Sequence, residues 1–465
     1  MSYDLGMQTP GSGADRGPLA SAANWLAPPF NRWAFWHVRE LLPTHRVWRG
    51  SGAARPLPAP SARRDIRAVD LVRRDGMPAL VGDVLDQTFT DAWVVLQDGE
   101  LVEEWYGPQG AVDGTHAVMS VTKSVVGCVA AVLIGRSELD PDALVTGYLP
   151  ELSEGGYAGA TVRDLLDMRS GVAFREDYFD PEAEVRQLDA WIGWRPQSAD
   201  DEPLGIYRFL ATLGADGPHG GRFLYRSAES DVLGWVCERA GGRRMADLIS
   251  TLVWAPMGAE YDAEIFCDGV GTAIHDGGLG ATARDLARFG QLVLDGGAVP
   301  DWAGARPDDP AGTRPPEVPG ATTLAADRPT RSVVPAQWFR QAWGVTSDLR
   351  EAFAASPAER SSPGGWYRNQ FWFRPGEFGD VLLCLGIHGQ MLHISRRTGT
   401  VCVKLSSWPS PVNPAFMQDT LRAFDAVGGA LAGRSSPSGN RQLPGGVSGL
   451  SRYGGGSVPR SGSLL

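Results

Sequence analysis

The chain has 465 residues, enough for one large domain or two ordinary ones, and its apolar fraction of 43% is normal for a globular protein. Its net charge of −11 argues against a nucleic-acid partner, which would bind a basic face. The five cysteines form no C-x-x-C pair, so they indicate neither a disulfide framework nor a metal site, and small buried hydrophobic side chains explain them better. We expect no cofactor.

The two ends of the chain differ in composition from the part between them. Residues 1–24 are small and polar, lack the basic region and apolar core of a signal peptide, and are predicted to be disordered. Residues 431–465 are rich in Gly, Ser, Pro and Arg and are predicted to be a disordered tail. The longest clean apolar run, Val125 to Ile134, is about half of what a bilayer crossing needs. A single domain over 25–430, cytoplasmic and without a membrane partner, is therefore predicted.

Strands come first among the predicted elements, and helices follow. An aromatic, amphipathic segment runs over 31–42, and residues 49–62 are typical of a surface loop. Strands at 92–97 and 101–106 flank a Gly turn, which predicts a hairpin. Helices are predicted around Ser120, from Thr161 to Gly171 with a capping box to Asp164, and over 227–240 and 282–294. Residues 172–204 are predicted to be long loops with a short helix, and 299–331 an excursion loop.

Strand patterns return near the end of the chain, at 366–373, 381–387, 391–395 and 401–405, before a helix over 414–427. Strands thus lie at both ends and helices in the middle. This order predicts an α+β fold in which one antiparallel sheet, built from both ends, is flanked by helices and carries a helical insert.

Lysine is almost absent, and this makes Ser120 and Lys123 stand out. The chain has two lysines, Lys123 and Lys404, against 41 arginines. Unlike arginine, a buried lysine can give up its proton and act as a base. Residues i and i+3 share a helix face, so Ser120 could be a nucleophile that Lys123 activates if burial lowers the pKa of the lysine. By chance alone, such a serine would precede one of two lysines about one time in seven.

Two further segments could join this pair. Tyr225 stands just before the 228–240 helix and could carry a proton to a leaving group, although a core aromatic is the simpler explanation of one tyrosine. Gly386-Ile387-His388-Gly389-Gln390 could present a backbone N–H to a substrate carbonyl, or could be a tight turn between core strands. Other motifs are absent: there is no G-x-S-x-G, H-E-x-x-H or phosphate-binding loop, and 278–283 match a dinucleotide motif only loosely.

Taken together, these residues resemble the serine β-lactamase and penicillin-binding-protein superfamily, and more closely the 6-aminohexanoate-dimer (nylon-oligomer) hydrolases. The resemblance covers roughly residues 25–428. Its strings are Asn31-Arg32-Trp33-Ala34-Phe35, Met119-Ser120-Val121-Thr122-Lys123-Ser124, Glu176-Asp177-Tyr178-Phe179-Asp180-Pro181, Gly193-Trp194-Arg195, Tyr225-Arg226-Ser227, Asp231-Val232-Leu233-Gly234-Trp235, Thr282-Ala283-Arg284-Asp285-Leu286-Ala287-Arg288, Gly386-Ile387-His388-Gly389-Gln390 and Val403-Lys404-Leu405-Ser406-Ser407-Trp408-Pro409.

The resemblance implies a β-lactamase-like fold and a role for each matching residue. Ser120 would be the nucleophile, Lys123 its base and Tyr225 a proton shuttle, with an oxyanion hole from the backbone N–H groups of Ser120 and Ile387. The substrate-binding residues that it implies are Tyr178, Asp189, Ser227, Asp276, Trp372 and His388. Of these, Asp189 would pair with the amino end of an amide substrate, and Ser227 would support the Lys–Tyr network.

The chain also departs from the superfamily pattern. His388-Gly389-Gln390 replaces the Lys-Thr-Gly of β-lactamases, which removes a cationic group and argues against β-lactam hydrolysis. The sequence around Asp189 is otherwise unlike the family's. A hydrolase of small esters and linear amides that works through an acyl-enzyme is predicted. A D-amino-acid peptidase and an inactive ligand-binding relative remain alternatives, and the resemblance is compatible with a homodimer.

Overall fold

A computed structural model describes residues 19–60, 64–195, 205–302 and 330–433. The strands are β1 (Thr44–Val47), β2 (Asp70–Val72), β3 (Pro78–Leu80), β4 (Thr90–Gln97), β5 (Glu100–Tyr106), β6 (His116–Ala117), β7 (Ala263–Phe266), β8 (Leu279–Ala281), β9 (Ala298–Pro300), β10 (Thr330–Ser332), β11 (Trp366–Arg368), β12 (Phe371–Gly376), β13 (Gly379–Gly386), β14 (Gln390–Ser395) and β15 (Thr400–Ser406). The α-helices are α1 (Asn31–Ala34), α2 (Val81–Gln87), α3 (Val121–Gly135), α4 (Val145–Tyr148), α5 (Val162–Leu166), α6 (Glu184–Trp191), α7 (Ile206–Leu210), α8 (Ser227–Gly241), α9 (Met245–Ile249), α10 (Ala255–Met257), α11 (Ala283–Leu294), α12 (Ala336–Trp343), α13 (Ser347–Ala354) and α14 (Pro414–Leu431).

The largest sheet is antiparallel and comes from both ends of the chain, which confirms the α+β prediction. Within the described residues it has seven strands, in the order β11-β12-β13-β14-β15-β4-β5. The two ends of the chain meet where β15 pairs with β4, and β4 with β5 forms the predicted hairpin. Alternate side chains of β4 enter different cores: Val94 and Leu96 point to one, Trp93 and Val95 to the other.

Helices cover both faces of this sheet. On one face α14 packs with α2, and Phe424 of α14 stacks on Trp93 of β4 with ring centroids 5.6 Å apart. On the other face α11 lies against β4, β14 and β15, while α3 contacts β13 and β14. Because α3 also packs on α8, it is buried over nearly its whole length, which explains why its sequence is apolar on all sides.

A smaller antiparallel sheet, in the order β1-β7-β8-β6, brings distant segments to the start of α3. It was not predicted, because β6 and β8 are too short to give a strand pattern. The Val118 N–H, which follows β6, donates to the Leu279 carbonyl of β8 at 2.9 Å. This contact places Asp276, which precedes β8, beside the segment that carries Ser120.

Three predicted elements have different bounds in the structure. The helix after Thr161 has the expected capping box with Asp164, but it ends at Leu166 rather than at Gly171, because Met168 has a φ of 52°. The strand predicted over 366–373 is a hairpin instead, since Asn369 and Gln370 both have positive φ and form a two-residue turn. The strand predicted over 381–387 ends at Gly386, and Ile387–Gly389 form a 3-10 turn.

The chain segments at the predicted boundaries can be followed in part. Residues 19–24 form turns that lead to the buried Trp25, and residues 1–18 lie outside the described part. The ends of the predicted 299–331 loop are held together by β9 and β10, while residues 303–329 and 434–465 are not described. None of the helices in the described ranges is long and apolar enough to cross a membrane.

Candidate active site

Ser120 and Lys123 meet at the N-terminal end of α3, as the sequence predicts. Ser120 is the N-cap residue of α3, and the Lys123 Nζ donates to the Ser120 Oγ at 2.7 Å. Both are buried, with 7% of Ser120 and 1% of Lys123 exposed. Met119, directly before Ser120, has a φ of 48°, an unfavourable conformation for a side chain of this size. The close Lys–Ser pair is therefore held by a strained turn.

Three more acceptors surround the Lys123 ammonium. Its Nζ donates to the Ser227 Oγ at 3.1 Å, to the Asp276 backbone carbonyl at 2.8 Å and to the Asp276 carboxylate at 3.4 Å. The predicted place of Ser227 in the Lys–Tyr network is thus matched by a direct hydrogen bond. The donor groups of Lys123 are fully used, which orients its Nζ toward Ser120.

The charge on Lys123 differs from what the sequence argument requires. Burial by itself lowers the pKa of Lys123, but Tyr225, Asp276 and Glu176 outweigh it and raise the pKa above its ordinary value. The premise that burial leaves Lys123 as a ready base is therefore wrong for the resting site. The charges around Lys123 favour its ammonium form.

Tyr225 completes the group around Ser120. Its ring centroid lies 5.2 Å from the Lys123 Nζ, and its hydroxyl interacts with the side chains of Ser120 and Lys123. Burial raises the pKa of Tyr225, Lys123 lowers it and Glu176 raises it, with a net rise. The Tyr225 ring packs on Trp372, with centroids 5.0 Å apart. Trp372 was predicted to line the substrate pocket; the structure places it behind Tyr225 instead.

Glu176 is a site residue that the sequence did not single out, although it lies in one of the family-like strings. Its buried carboxylate accepts hydrogen bonds from the Ser227 N–H at 2.8 Å, the Ser227 hydroxyl at 2.6 Å and the Tyr178 hydroxyl at 2.5 Å. Burial raises the pKa of Glu176, while Lys123 and these donors lower it. Glu176 thus links the start of α8 to the Lys123 network.

Asp231 is a second carboxylate that the sequence did not reveal. It is fully buried on α8, and its Oδ1 accepts the backbone N–H groups of His275 at 3.0 Å and Asp276 at 2.9 Å. Burial raises its pKa well above the ordinary value, as does the charge of Asp276, while Lys123 lowers it. Asp231 thereby fixes the backbone turn whose carbonyl accepts from Lys123. Only the tertiary structure can show that such an acid is buried beside a lysine.

A small inner cavity lies directly over Ser120. Its polar walls are Tyr178, Asp189 and Asp276, and Ile387 also lines it. Met119, Val185, Leu188, Ile192, Trp194 and Gly277 form the rest. A wider outer cleft of about 500 Å³ adjoins it and shares the walls Tyr178, Asp189, Trp194 and Ile387. Space of this size suits a small organic molecule. The predicted residues Ser120, Tyr178, Asp189, Asp276 and Ile387 are thus brought together.

The segment predicted to supply the oxyanion hole lies against the Ser120 turn. A Cβ on Gly386 would be 2.7 Å from the Val118 carbonyl oxygen, so only glycine allows β13 to end this close to Ser120. The next residue, Ile387, then faces the inner cavity. His388 lines the outer cleft, and its Nδ1 is 2.7 Å from the Trp408 carbonyl oxygen. Burial lowers the pKa of His388 to about 4, so at neutral pH it does not replace the cationic group of β-lactamases.

Lys404 has a structural place beside the site. It is buried on β15, and its Nζ donates to the Thr88 carbonyl at 3.1 Å and to the Ser406 hydroxyl. Burial lowers the pKa of Lys404 to about 7. The interpretation of this second lysine as a strand anchor agrees with these contacts.

A separate groove of about 350 Å³ reaches the network from another direction. Tyr225 and Glu176 are among its walls, which also include Ala173, Phe174, Arg175, Glu184, Asp216, Arg222, Phe223, Leu224, Arg226, Ser356, Pro357 and Ala358. Ser120 is not one of its walls, so this groove by itself cannot present a carbonyl carbon to that serine. Among the described residues, no group of three or more His, Cys, Asp or Glu side chains is arranged to hold a metal ion.

Comparison with known proteins identifies the family of the chain. The family model described as Beta-lactamase matches residues 79–426. A 6-aminohexanoate-dimer hydrolase from Paenarthrobacter ureafaciens is 37% identical over 428 residues, 90% of this chain and 97% of the relative. The chain belongs to the β-lactamase family. It is a hydrolase of this superfamily, and its other relatives include the esterase EstB from Burkholderia gladioli, 33% identical over 156 residues, 31% of this chain and 37% of EstB.

Two solved structures have the same fold. A Bacillus anthracis protein assigned provisionally as a 6-aminohexanoate-dimer hydrolase superposes with a TM-score of 0.75 at 25% identity, covering 89% of this chain and 97% of that one. A penicillin-binding protein homologue from Pyrococcus abyssi superposes with a TM-score of 0.52 at 15% identity, covering 77% of each chain, which bears on the fold alone. Both results confirm the predicted β-lactamase-like architecture.

Proposed function

We propose that the chain hydrolyses small esters and linear amides, of the 6-aminohexanoate-dimer type, through an acyl-enzyme on Ser120. The observation that carries the proposal is the 2.7 Å hydrogen bond from Lys123 to Ser120, which lines a small inner cavity that adjoins an outer cleft of about 500 Å³. A serine hydroxyl becomes a useful nucleophile only beside groups that can take its proton. Relatives named as a 6-aminohexanoate-dimer hydrolase and an esterase support the two substrate classes.

In the proposed first step, the Lys123–Tyr225 pair has already lost one proton to solvent; the Ser120 Oγ attacks the substrate carbonyl carbon and its proton passes to the Tyr225 oxygen. The sequence alone assigns the role of base to Lys123, but the raised pKa of Lys123 favours the ammonium form. An ammonium beside Tyr225 lowers the pKa of its hydroxyl and stabilises the phenolate that would accept the proton. We therefore treat Lys123 and Tyr225 as one coupled pair that accepts a single proton.

The same pair completes the proposed cycle. The carbonyl oxygen becomes an oxyanion, which the backbone N–H groups of Ser120 and Ile387 would bind. When the bond to the leaving group breaks, Tyr225 returns the proton to the departing amine or alcohol, and the acyl group remains on Ser120. A water molecule then attacks the ester, gives its proton to the pair, and the acid leaves as Ser120 recovers its proton.

The remaining predicted residues fit supporting roles in this proposal. Tyr178 and Asp276 line the inner cavity where the acyl carbon would lie. Asp189 lines both the inner cavity and the outer cleft, so it can meet the far end of an acyl chain. Trp372 would act through Tyr225, whose ring it contacts, and His388 would shape the cleft wall as a neutral side chain.

A labelling experiment tests the nucleophile. Purified wild-type protein, Ser120→Ala and Ser124→Ala are treated with a fluorophosphonate probe, and p-nitrophenyl butyrate and 6-aminohexanoate-dimer turnover are measured. Ser124 is the matched control, because it lies on the same helix but donates to the Gln370 carbonyl at 2.8 Å, away from the cavity. We expect Ser120→Ala to lose labelling and at least about 1,000-fold in kcat/KM, while Ser124→Ala keeps both.

Two outcomes would contradict the proposal. If wild type and Ser120→Ala label equally, Ser120 is not the nucleophile. If wild type neither labels nor turns over any ester or amide of the panel, the alternative of a ligand-binding relative gains support. Ester turnover without amide turnover would restrict the function to an esterase.

A further inference from the structure

The wall of the outer cleft contains an ion pair that affects whether Asp189 can bind the amino end of a substrate. Arg186 and Asp189 lie one turn apart on α6, and the Arg186 Nη1 is 2.5 Å from the Asp189 Oδ2. Both side chains are largely buried, 14% and 9% exposed. Asp189 lines the inner cavity and the outer cleft, whereas Arg186 lines only the outer cleft. The carboxylate therefore already has a cationic partner on its outer side.

Positively charged side chains outnumber negatively charged ones on the part of the outer cleft that the structure describes. Among the described residues that line it, the charged side chains are Arg186, Arg195 and Asp189. His388 is neutral, because burial lowers its pKa to about 4. Once Arg186 neutralises Asp189, Arg195 remains as the net charge. An acyl chain that enters from the surface thus meets a cationic wall.

A substrate with a terminal ammonium would have to disrupt this arrangement. To reach Asp189 it must displace Arg186, which would then lie beside a second positive charge in a poorly solvated cleft. The neighbouring carboxylates of Asp276 and Glu176 already accept hydrogen bonds from Lys123 and Ser227. A chain with a neutral end causes no such conflict, and a carboxylate end would be attracted to the arginines.

We propose that Arg186 is a specificity-determining residue that masks Asp189 and makes the cleft favour acyl chains with a carboxylate or neutral end over chains with an ammonium end. This inference rests on the proposed function, since it concerns the acyl part of the same substrate. It predicts that, among the esters and linear amides of the proposed function, those with a 6-aminohexanoyl part, which ends in an ammonium, are poorer substrates than those whose acyl part ends without a positive charge. It also identifies one substitution that should restore recognition of an ammonium end.

Three esters with the same leaving group test the proposal. The p-nitrophenyl esters of hexanoate, 6-aminohexanoate and adipate carry a neutral, an ammonium and a carboxylate end on acyl chains of similar length. Turnover is measured at pH 8.5, where the amine is still protonated and Asp189, whose pKa burial raises to about 7, is ionised in wild type. The Ser120→Ala protein supplies the blank for spontaneous hydrolysis.

The readout is the ratio of kcat/KM values within each variant, which cancels any general loss of activity. In wild type we expect the order carboxylate, neutral, ammonium. Arg186→Gln should raise the ratio of the ammonium ester to the neutral ester at least about tenfold, the effect of one well-placed charge in a cleft. Asp189→Asn should raise the ratio of the carboxylate ester to the neutral ester, because it frees Arg186.

Arg195→Gln is the matched control. It removes the same charge from the same cleft but leaves Asp189 masked, so the ratio of ammonium to neutral ester should change by about twofold or less. The double variant Arg186→Gln/Asp189→Asn should lose the gain of the single variant. Melting temperatures show that each variant is folded.

The proposal is overturned if Arg186→Gln leaves the ammonium ratio unchanged, or if Arg195→Gln raises it as much. It is also overturned if wild type prefers the ammonium ester. Should wild type hydrolyse none of the three esters, the proposed function fails, and the charge preference is read from calorimetric binding of hexanoate, 6-aminohexanoate and adipate to the same variants. If Arg186→Gln then binds 6-aminohexanoate no more tightly than wild type does, the proposal that Arg186 masks Asp189 is refuted.

Discussion

Replacing Glu176 by Gln should move the pH dependence of catalysis to lower pH. Glu176 lies behind Ser227, which is 2.6 Å from its carboxylate and 3.1 Å from the Lys123 Nζ. Its negative charge raises the pKa of both Lys123 and Tyr225, because it stabilises the ammonium and opposes a phenolate. Since the proposed mechanism needs this pair to accept a proton, kcat/KM should rise with pH toward the alkaline range.

The size of the effect follows from the distance between the charges. The Ser227 hydroxyl bridges Glu176 and Lys123, so their charged atoms lie less than about 6 Å apart. At an effective dielectric constant of about 20, this corresponds to about 2 to 3 kcal/mol, or about two pKa units. Because the surroundings relax when the charge is removed, we expect the rising limb to move by about 1 to 2 pH units.

The assay is the pH profile of kcat/KM for p-nitrophenyl butyrate between about pH 6 and 10.5, with Ser120→Ala as the blank. The maximal rate should also fall, because Gln can accept fewer of the hydrogen bonds from Ser227 and Tyr178. The pH at which kcat/KM rises, however, does not depend on the maximal value of kcat/KM. A lost hydrogen bond alone does not predict a shift toward lower pH.

Asp177→Asn is the matched control for this experiment. Asp177 is the next acid in the chain, but its carboxylate accepts from the Phe179 N–H at 3.0 Å and belongs to a local turn. Its removal should leave the limb in place. If kcat/KM of Glu176→Gln rises at the same pH as that of wild type, or at a higher pH, Glu176 does not set the pKa of the Lys123–Tyr225 pair.

Two further predictions concern the shuttle and the turn after β13. Tyr225→Phe should reduce kcat about 100- to 1,000-fold, because the proton shuttle is lost. Its melting temperature should stay within about 3 °C of wild type, because the ring contact with Trp372 remains. An unchanged kcat would exclude the hydroxyl from proton transfer. Gly389→Ala should lower the free energy of unfolding by more than about 2 kcal/mol in urea denaturation, since Gly389 has a φ of 87° and a Cβ would lie 2.3 Å from Trp408. Gly193→Ala, with a φ of 79° and nothing within 4 Å, should cost only about 1 kcal/mol; equal losses would mean that the contact with Trp408 is unimportant.

Much of the main sheet could be predicted from the sequence, because its signals are local. The hairpin of β4 and β5 has a Gly turn between two apolar runs, and α8 ends at Gly242, whose left-handed conformation stops a helix. Elements without a local pattern were missed or misjudged. The turn at Asn369 and Gln370 interrupts an apolar run that otherwise reads as one strand, and β6 and β8 are too short to be recognised.

The residues of the candidate site also differ in whether the sequence alone could predict them. Ser120 and Lys123 could be paired from the sequence, because they are three positions apart at the start of one helix. Tyr225, Ile387 and the substrate-binding candidates came only through resemblance to a family, and no spacing rule connects them. Their assembly depends on β6, β8 and β13, which bring segments more than 100 residues apart to the start of α3.

The sequence by itself thus determined the fold class and the pair Ser120–Lys123, since hydrophobic periodicity, turn residues and helical spacing act over a few residues. The family followed from the resemblance of longer strings to known proteins. Only the tertiary structure decided the charges of the site. A pKa depends on burial and on charges within a few ångströms, and for Lys123 these come from Glu176, Tyr225 and Asp276. For the same reason only the folded chain shows that Asp189, expected to be open to a substrate amine, is already paired with Arg186.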